Sequence, residues 1–287
     1  MKAEVWVTSF GFFSSQTLRK DSNAMKNLLT ATLLLFFSAT VFGSAKDDAM
    51  TAYFLMEESP FDRDVFSRSM KLINSAYQAD QNEPWVYIAS SLSTMQRGYK
   101  IGSWFHSKSF KPGTIDKAHE FALKAVEHGA DKSQAHAHLA RVMIIKQQYR
   151  EAWNSLNTAY QRDNNNFYAW FYKGIIGYYM KDYDRALSHF DKAQTLTTKR
   201  YHQKLVTRQK QRVARGQGNK LLEEQLYIKN INDYPDNAYM YGNYAHYLLK
   251  NNRPSESVTY YKKAISIKPY RQALKMLIVA EEKAAAR

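Results

Sequence analysis

Small and apolar residues recur in the second half of the chain at the three- and four-residue spacing of a helix face, with polar residues between them. The clearest unit has them at Leu139, Ala140, Met143, Ala152, Leu156 and Ala159. A short gap separates the first three from the last three, so the unit predicts two amphipathic helices joined by a turn.

The same pattern returns 34 residues further along the chain. The second copy has Trp170, Lys173, Gly174, Gly177, Ala186, Phe190 and Ala193. The third copy has Tyr241, Tyr244, Ala245, Leu248, Ser257, Tyr261 and Ala264, and ends at Pro269. Small residues such as Gly174 and Ala245 are expected where paired helices approach closely. These positions therefore predict core packing and not a functional site.

The spacing and residue types resemble the tetratricopeptide repeat, whose pattern is Trp-x2-Leu-Gly-x2-Tyr, then Ala-x3-Phe, then Pro. The resemblance implies an all-α helical-hairpin solenoid, since one hairpin cannot bury its apolar faces alone. It also implies a binding scaffold, because such solenoids present extended concave surfaces to partners.

Weaker copies extend the repeat frame in both directions. A degenerate copy covers 204–236, offset by three extra residues, with helices expected at 199–215 and 221–232. Upstream, the copy that begins near Trp85 carries an insertion at 97–113. A first copy is expected at 50–82, with Pro60 opening its second helix. The frame thus predicts about six repeats: degenerate ones over 46–132, clearer ones over 133–269, and a capping helix over 270–287.

The chain's beginning has the parts of a secretory signal peptide. Met25-Lys26-Asn27 is followed by an apolar run over 28–42 and by Gly43-Ser44-Ala45. We predict a signal peptide at 25–45, cut after Ala45 or after Gly43, with 1–24 as an upstream extension from a misplaced start. An uncleaved membrane anchor is the alternative. The first interpretation predicts a periplasmic or secreted protein that does not span a membrane once processed.

Composition narrows the partners and the chemistry. The formal net charge is +15, which favours an acidic partner such as a peptide, an anionic polysaccharide or a lipid surface. Nucleic acid is not expected, because an exported protein would rarely meet it. The chain has no cysteine, which excludes thiolate metal sites and a cysteine nucleophile.

Catalytic motifs are largely missing from the sequence. His119-Glu120 begins like a zinc-protease helix, but Leu123 stands where the second histidine is needed. His136 and His138 are two residues apart and point to different sides of a helix. We therefore predict a non-enzyme without a metal or another cofactor.

The resemblance implies that the first helix of each hairpin lines the concave surface. The candidate ligand-binding residues on these helices are Arg141, Tyr168, Tyr172, Tyr179, Arg208, Arg212, Arg215 and His246. The last three arginines share one helix face, and no acidic residue occurs between Lys199 and Lys220, so a bound anion would relieve their repulsion.

Other interpretations of these residues remain open. The arginines could form a solvated face and the tyrosines could belong to the core. The basic helix 199–220 could instead bind an anionic glycan or a lipid surface. The insertion at 97–113, rich in aromatic residues and lysine, is either a recognition loop or a cover for the N-terminal repeats.

Overall fold

The computed structural model describes residues 43–286. The predicted upstream extension and nearly all of the predicted signal peptide lie outside these residues. Among residues 43–286, no helix combines the length and the apolar composition that a membrane span requires.

The described residues form thirteen α-helices. These are α1 (Ala45–Glu58), α2 (Arg63–Ala79), α3 (Pro84–Gly98), α4 (Thr114–His128), α5 (Ser133–Ile145), α6 (Tyr149–Arg162), α7 (Phe167–Tyr179), α8 (Tyr183–Thr195), α9 (Arg200–Gln217), α10 (Lys220–Asp233), α11 (Ala238–Lys250), α12 (Pro254–Ile267) and α13 (Arg271–Ala285). They pack as six successive hairpins, from α1–α2 to α11–α12, and α13 covers the last of them. The predicted all-α solenoid with a capping helix is confirmed.

Four of the hairpins turn through one residue with positive φ. These residues are Gln147, Lys181, Gly218 and Asn252, with φ of 63°, 60°, 71° and 63°. They follow one another at intervals of 34, 37 and 34 residues, which reproduces the repeat length and the predicted offset of three. In each turn the next residue donates its backbone N–H to the carbonyl five residues earlier, at 2.9–3.0 Å. This bond ends a helix through a left-handed residue, so the same local geometry sets every one of these hairpins.

The small residues of the pattern lie in helix–helix contacts, as predicted. Ala140 and Ala245 are completely buried. Gly174 leaves no room for a side chain, since an added Cβ would lie 2.5 Å from Cε1 of Phe190. Ser257, which replaces the usual alanine of the second helix, donates its hydroxyl to the carbonyl of Ala245 at 2.8 Å. Serine at this position is thus small enough for the two helices to approach closely, and its hydroxyl has a hydrogen-bond acceptor.

The N-terminal hairpin differs from its prediction. Pro60 does not open the second helix; it lies in the turn, and α2 begins at Arg63 behind Asp62. The carboxylate of Asp62 accepts the backbone N–H groups of Asp64 and Val65 at 3.0 Å, so it caps the helix. The N-terminus of α2 is therefore set by the Asp62 cap, and Pro60 is a residue of the preceding turn.

The predicted insertion is shorter than expected because α3 continues to Gly98. We call residues 99–113 the insert. Two backbone hydrogen bonds tie its ends together, from Lys100 N–H to the Ser109 carbonyl and from Lys111 N–H to the Gly98 carbonyl, both at 2.8 Å. The insert is therefore an anchored loop that leaves and rejoins the second hairpin at nearly one point.

Candidate functional site

A cavity of about 560 Å³ lies on the inner side of the solenoid. Its walls come from α1, α3, α5, α7 and α9, which are the first helices of five successive hairpins, together with the insert. The volume falls within the range of about 300–1,000 Å³ that is typical of ligand sites in proteins.

Helix α1 bounds the cavity on one side. Its buried Tyr53 meets the rings of His138 and Tyr168 edge-on, with centroids 5.9 and 6.2 Å away. At the same end, the ammonium of Lys199 lies 4.1 Å from the ring centroid of Phe54. Helix α1 therefore packs against residues of the third, fourth and fifth hairpins, and it encloses the cavity on this side.

A buried ion pair forms part of the cavity wall. Nη1 of Arg141 lies 2.5 Å from Oε1 of Glu57, and the two side chains are 8% and 5% exposed. Burial opposes the charged guanidinium, but the Glu57 carboxylate, together with Tyr172 and Tyr53, outweighs it, and the pKa of Arg141 is raised well above its ordinary value. Nε of Arg141 is buried and has no hydrogen-bond partner among the described residues. Arg141 is thus a charged residue of the cavity wall whose Nε–H remains available as a hydrogen-bond donor.

Two predicted tyrosines form the floor beside this ion pair. Tyr168 and Tyr172 are almost completely buried, and burial raises the pKa of both hydroxyls. Oη of Tyr168 lies 3.1 Å from Nε2 of His202, whose ring stacks on Phe167 at 4.1 Å. Burial, with a smaller contribution from Lys199, lowers the pKa of His202 to about 4. Tyr168 and Tyr172 are thus core residues that also line the cavity, whereas Phe167 and His202 pack behind them.

Two arginines of α9 supply positive charge to the cavity wall that this helix forms. Arg208 is exposed and lines the cavity, and Arg212 lines it one turn further along. The guanidinium carbon of Arg212 lies 4.6 Å from the ring centroid of Tyr178 and 6.0 Å from that of Tyr179, and Nη1 of Arg212 donates to Oε1 of Gln209 at 2.9 Å. No carboxylate of the described residues forms an ion pair with either arginine. The α9 wall therefore carries two positive charges without a counter-charge.

The insert closes the cavity on a further side. Phe105 is buried against Tyr172, with ring centroids 6.1 Å apart, and its carbonyl accepts the hydroxyl of Tyr179 at 3.3 Å. Tyr99 and Trp104 stack with Phe61 from the turn of the first hairpin. The insert thus folds back over the first repeat, as one of its two predicted roles required, and it also builds the cavity wall.

Comparison with known proteins agrees with this architecture. A sequence profile of the tetratricopeptide repeat matches residues 238–271, which comprise the hairpin α11–α12. The chain therefore contains a tetratricopeptide repeat at residues 238–271, and its described residues share the fold of solved tetratricopeptide-type solenoids. No curated protein sequence matches it.

Solved tetratricopeptide-type solenoids share the fold at low sequence identity. Yeast Tom70 is 18% identical with a TM-score of 0.54, and the match covers 79% of this chain and 45% of that one. Pseudomonas aeruginosa pilF is 14% identical with a TM-score of 0.51, with 84% and 99% covered. Human IFIT1, as a dimer with m7Gppp-AAAA, is 13% identical with a TM-score of 0.60, with 86% and 57% covered. At such identities the likeness shows the fold alone, and this chain spans less than half of Tom70.

The repeat frame does not place every predicted site residue in the cavity. Arg215 lies outside it and was wrongly expected to have no acidic neighbour: its guanidinium donates to Glu223 at 2.6 Å and to the Tyr227 hydroxyl at 3.0 Å. His246 does not line the cavity either; burial and then the charge of Lys250 lower its pKa. Tyr179 does not line the cavity, but it contacts two residues that do: its hydroxyl donates to the Phe105 carbonyl, and its ring lies 6.0 Å from the guanidinium carbon of Arg212.

Several cavity residues had no signal in the repeat pattern. Glu57 and Phe61 belong to the weakest repeat, and Gln209 looks like an ordinary helix-surface residue. The sequence feature that did indicate a cavity segment was the high aromatic content of the insert, which includes Trp104. Among residues 43–286, no group of three His, Asp or Glu side chains is arranged to bind a metal.

Proposed function

We propose that this chain is a non-catalytic scaffold exported to the periplasm, where it holds an acidic or C-terminal segment of an envelope protein. The observation that carries the proposal is the wall formed by Arg208 and Arg212, which faces a cavity and lacks a counter-charge among the described residues. Arginine pairs with carboxylates through two parallel hydrogen bonds and often anchors interfaces. An acidic side chain or a terminal carboxylate would complete this wall.

The tetratricopeptide fold supports the scaffold part of the proposal, because such solenoids generally bind other proteins. The cavity supports the acidic part. Glu57 is the acidic residue on its walls, and Glu57 is already paired with Arg141. The net positive charge of the chain would also attract an acidic partner from a distance.

Export rests on the sequence of residues 25–45 and is tested separately. Native protein is isolated from cell fractions and its N-terminal sequence is determined. We expect a periplasmic protein that begins at Lys46. Protein that retains Met1, or that remains with the cytoplasmic fraction, would refute export without bearing on the binding site.

Binding is tested by selecting a displayed library of random peptides on the wild-type chain. We expect enriched peptides to carry Asp or Glu, and to be lost when Arg208→Gln and Arg212→Gln are combined. Lys204→Gln serves as a control, since it removes one positive charge from α9 outside the cavity. Acidic enrichment that survives the double substitution would show that the cavity is not the binding site.

The alternative partner is an anionic glycan or lipid surface bound by the basic helix. The basic side chains of α9 are directed to separate elements: Arg200 bonds the Asp233 carbonyl at 2.7 Å, and Lys210 pairs with Asp191. This arrangement favours one discrete site over a continuous basic strip. Steep loss of affinity with salt for vesicles or polyuronate, without any peptide preference, would favour the alternative.

A further inference from the structure

Three aromatic rings stack at the rim of the cavity. Phe61 belongs to the turn between α1 and α2, whereas Tyr99 and Trp104 belong to the insert. Ring centroids are 4.9 Å apart for Phe61 and Tyr99, 5.5 Å for Phe61 and Trp104, and 4.9 Å for Tyr99 and Trp104, with interplanar angles below 30°. All three residues line the cavity, and Phe61 is 52% exposed. The rim therefore offers a flat aromatic surface to a ligand.

The backbone at Phe61 is strained. Its φ is 73°, a left-handed conformation that bulky residues rarely adopt. Because about half of the Phe61 side chain is exposed, its burial contributes little to stability. Hydrophobic packing alone therefore does not explain why a phenylalanine occupies this left-handed position. Strain of this kind often marks a binding surface when it lies beside a cavity.

The insert holds its two rings in fixed positions. Phe105 and Phe110 of the same loop are buried, and the backbone N–H of Lys100 donates to the carbonyl of Ser109. The Arg141 guanidinium lies 5.7 Å from the centroid of the Trp104 ring. The stacked rings are thus anchored to the same wall that holds the buried ion pair.

We infer that Phe61, Tyr99 and Trp104 form an aromatic subsite, and that the preferred partner segment carries an aromatic side chain close to its acidic residue. This inference rests on the proposed function, since the acidic residue is the one that Arg208 and Arg212 bind. Aromatic side chains stack favourably in offset or edge-on geometry, and such contacts add to those of the carboxylate. The insert then determines which acidic segments bind.

The test compares the peptides selected by three forms of the chain: wild type, Trp104→Ala, and the Arg208→Gln/Arg212→Gln double variant. Wild type should enrich peptides with Phe, Tyr or Trp near Asp or Glu. Trp104→Ala should keep the acidic preference and lose the aromatic one. For a wild-type-selected peptide, Trp104→Ala should raise Kd about tenfold, and replacing the peptide's aromatic residue by Ala should then change little further.

Ile101→Ala is the matched control, because Ile101 lies in the same loop, is 81% exposed and does not line the cavity. It should select the wild-type peptides. Circular dichroism and thermal melts establish that each variant is folded, and Trp104→Phe, which keeps a ring, should restore the aromatic preference.

Each other outcome has a defined meaning. An aromatic preference that persists in Trp104→Ala overturns the aromatic subsite and leaves the proposed function intact. Absence of any acidic enrichment on wild type overturns both. Binding of polyuronate that depends on Trp104, with no peptide enriched, also overturns the inference, because the rings would then stack on sugars.

Discussion

Arg141 and Glu57 form a buried ion pair that joins the third hairpin to the first across 84 residues of sequence. In a solenoid, most contacts connect neighbouring repeats. This pair instead holds α1 against the inner surface of α5. Because α1 is one wall of the cavity, the ion pair links the stability of the N-terminal repeat to the shape of the candidate site.

Glu57→Gln should destabilise the protein strongly. The substitution leaves the Arg141 guanidinium buried without its counter-charge, and loss of one partner of a buried pair typically costs about 3–5 kcal/mol. Urea denaturation measures the change, with Glu58→Gln as the exposed neighbour, for which we expect a change within about 0.5 kcal/mol. Equal unfolding free energies for the two variants would mean that the pair does not hold α1 in place.

Gly174→Leu should overpack the contact between α7 and α8. Even a Cβ would lie 2.5 Å from the Phe190 ring, so a leucine must displace that ring. Overpacking typically costs about 1–3 kcal/mol. A thermal melt detects it, and Lys192→Leu, which adds the same side chain at an exposed position of α8, controls for added hydrophobicity. An unchanged melt for Gly174→Leu would contradict the repeat frame.

Stability should fall as pH is lowered from 7 to 5. Burial lowers the pKa of His202, and likewise that of His189, to about 4. The unfolded chain takes up these protons below its ordinary histidine pKa of about 6.5, whereas the folded chain resists them until about pH 4. The stability is therefore present above pH 6.5 and lost progressively below it, by roughly 1–2 kcal/mol per group at pH 5. Denaturation in His202→Gln should show a smaller loss, and an identical loss would show that His202 is not responsible.

The arginines of α9 should differ in their effect on stability. Arg215→Gln removes the partner of the buried Glu223 carboxylate and should cost about 1 kcal/mol. Arg208→Gln removes a positive charge that has no ion-pair partner among the described residues, so stability should hold or rise slightly. Arg212→Gln also loses the contacts of its guanidinium with the Tyr178 ring and the Gln209 side chain, and should cost up to about 1 kcal/mol. Urea denaturation of the three single variants decides this. A larger loss for Arg208→Gln than for Arg215→Gln would reverse the assignment of structural and binding roles.

The repeat frame was predictable because local spacing encodes it. Ala140, Gly174 and Ala245 mark helix crossings, and the left-handed turn residues recur at the expected intervals. The cavity was predictable only in part. Arg208 and Arg212 follow from the rule that first helices line the inner surface, but Arg215 lies one turn further and meets Glu223.

The remaining cavity residues depend on contacts that no local pattern records. The ion pair of Glu57 with Arg141 requires α1 to meet α5, and this depends on how successive repeats curve. Phe61 meets Trp104 because the insert folds back over the first hairpin. Single-sequence spacing carries no information on either long-range contact.

The most direct test of the account is the affinity of one acidic peptide, taken from the wild-type selection, for wild type and for the Arg208→Gln/Arg212→Gln double variant. Isothermal titration at fixed ionic strength measures both, with Lys204→Gln, which removes one positive charge of α9 outside the cavity, as the comparison. The account predicts that Kd rises at least about tenfold in the double variant, equal to about 1.4 kcal/mol, while Lys204→Gln changes it little. Equal Kd values for wild type and the folded double variant would contradict the claim that the cavity binds the acidic segment.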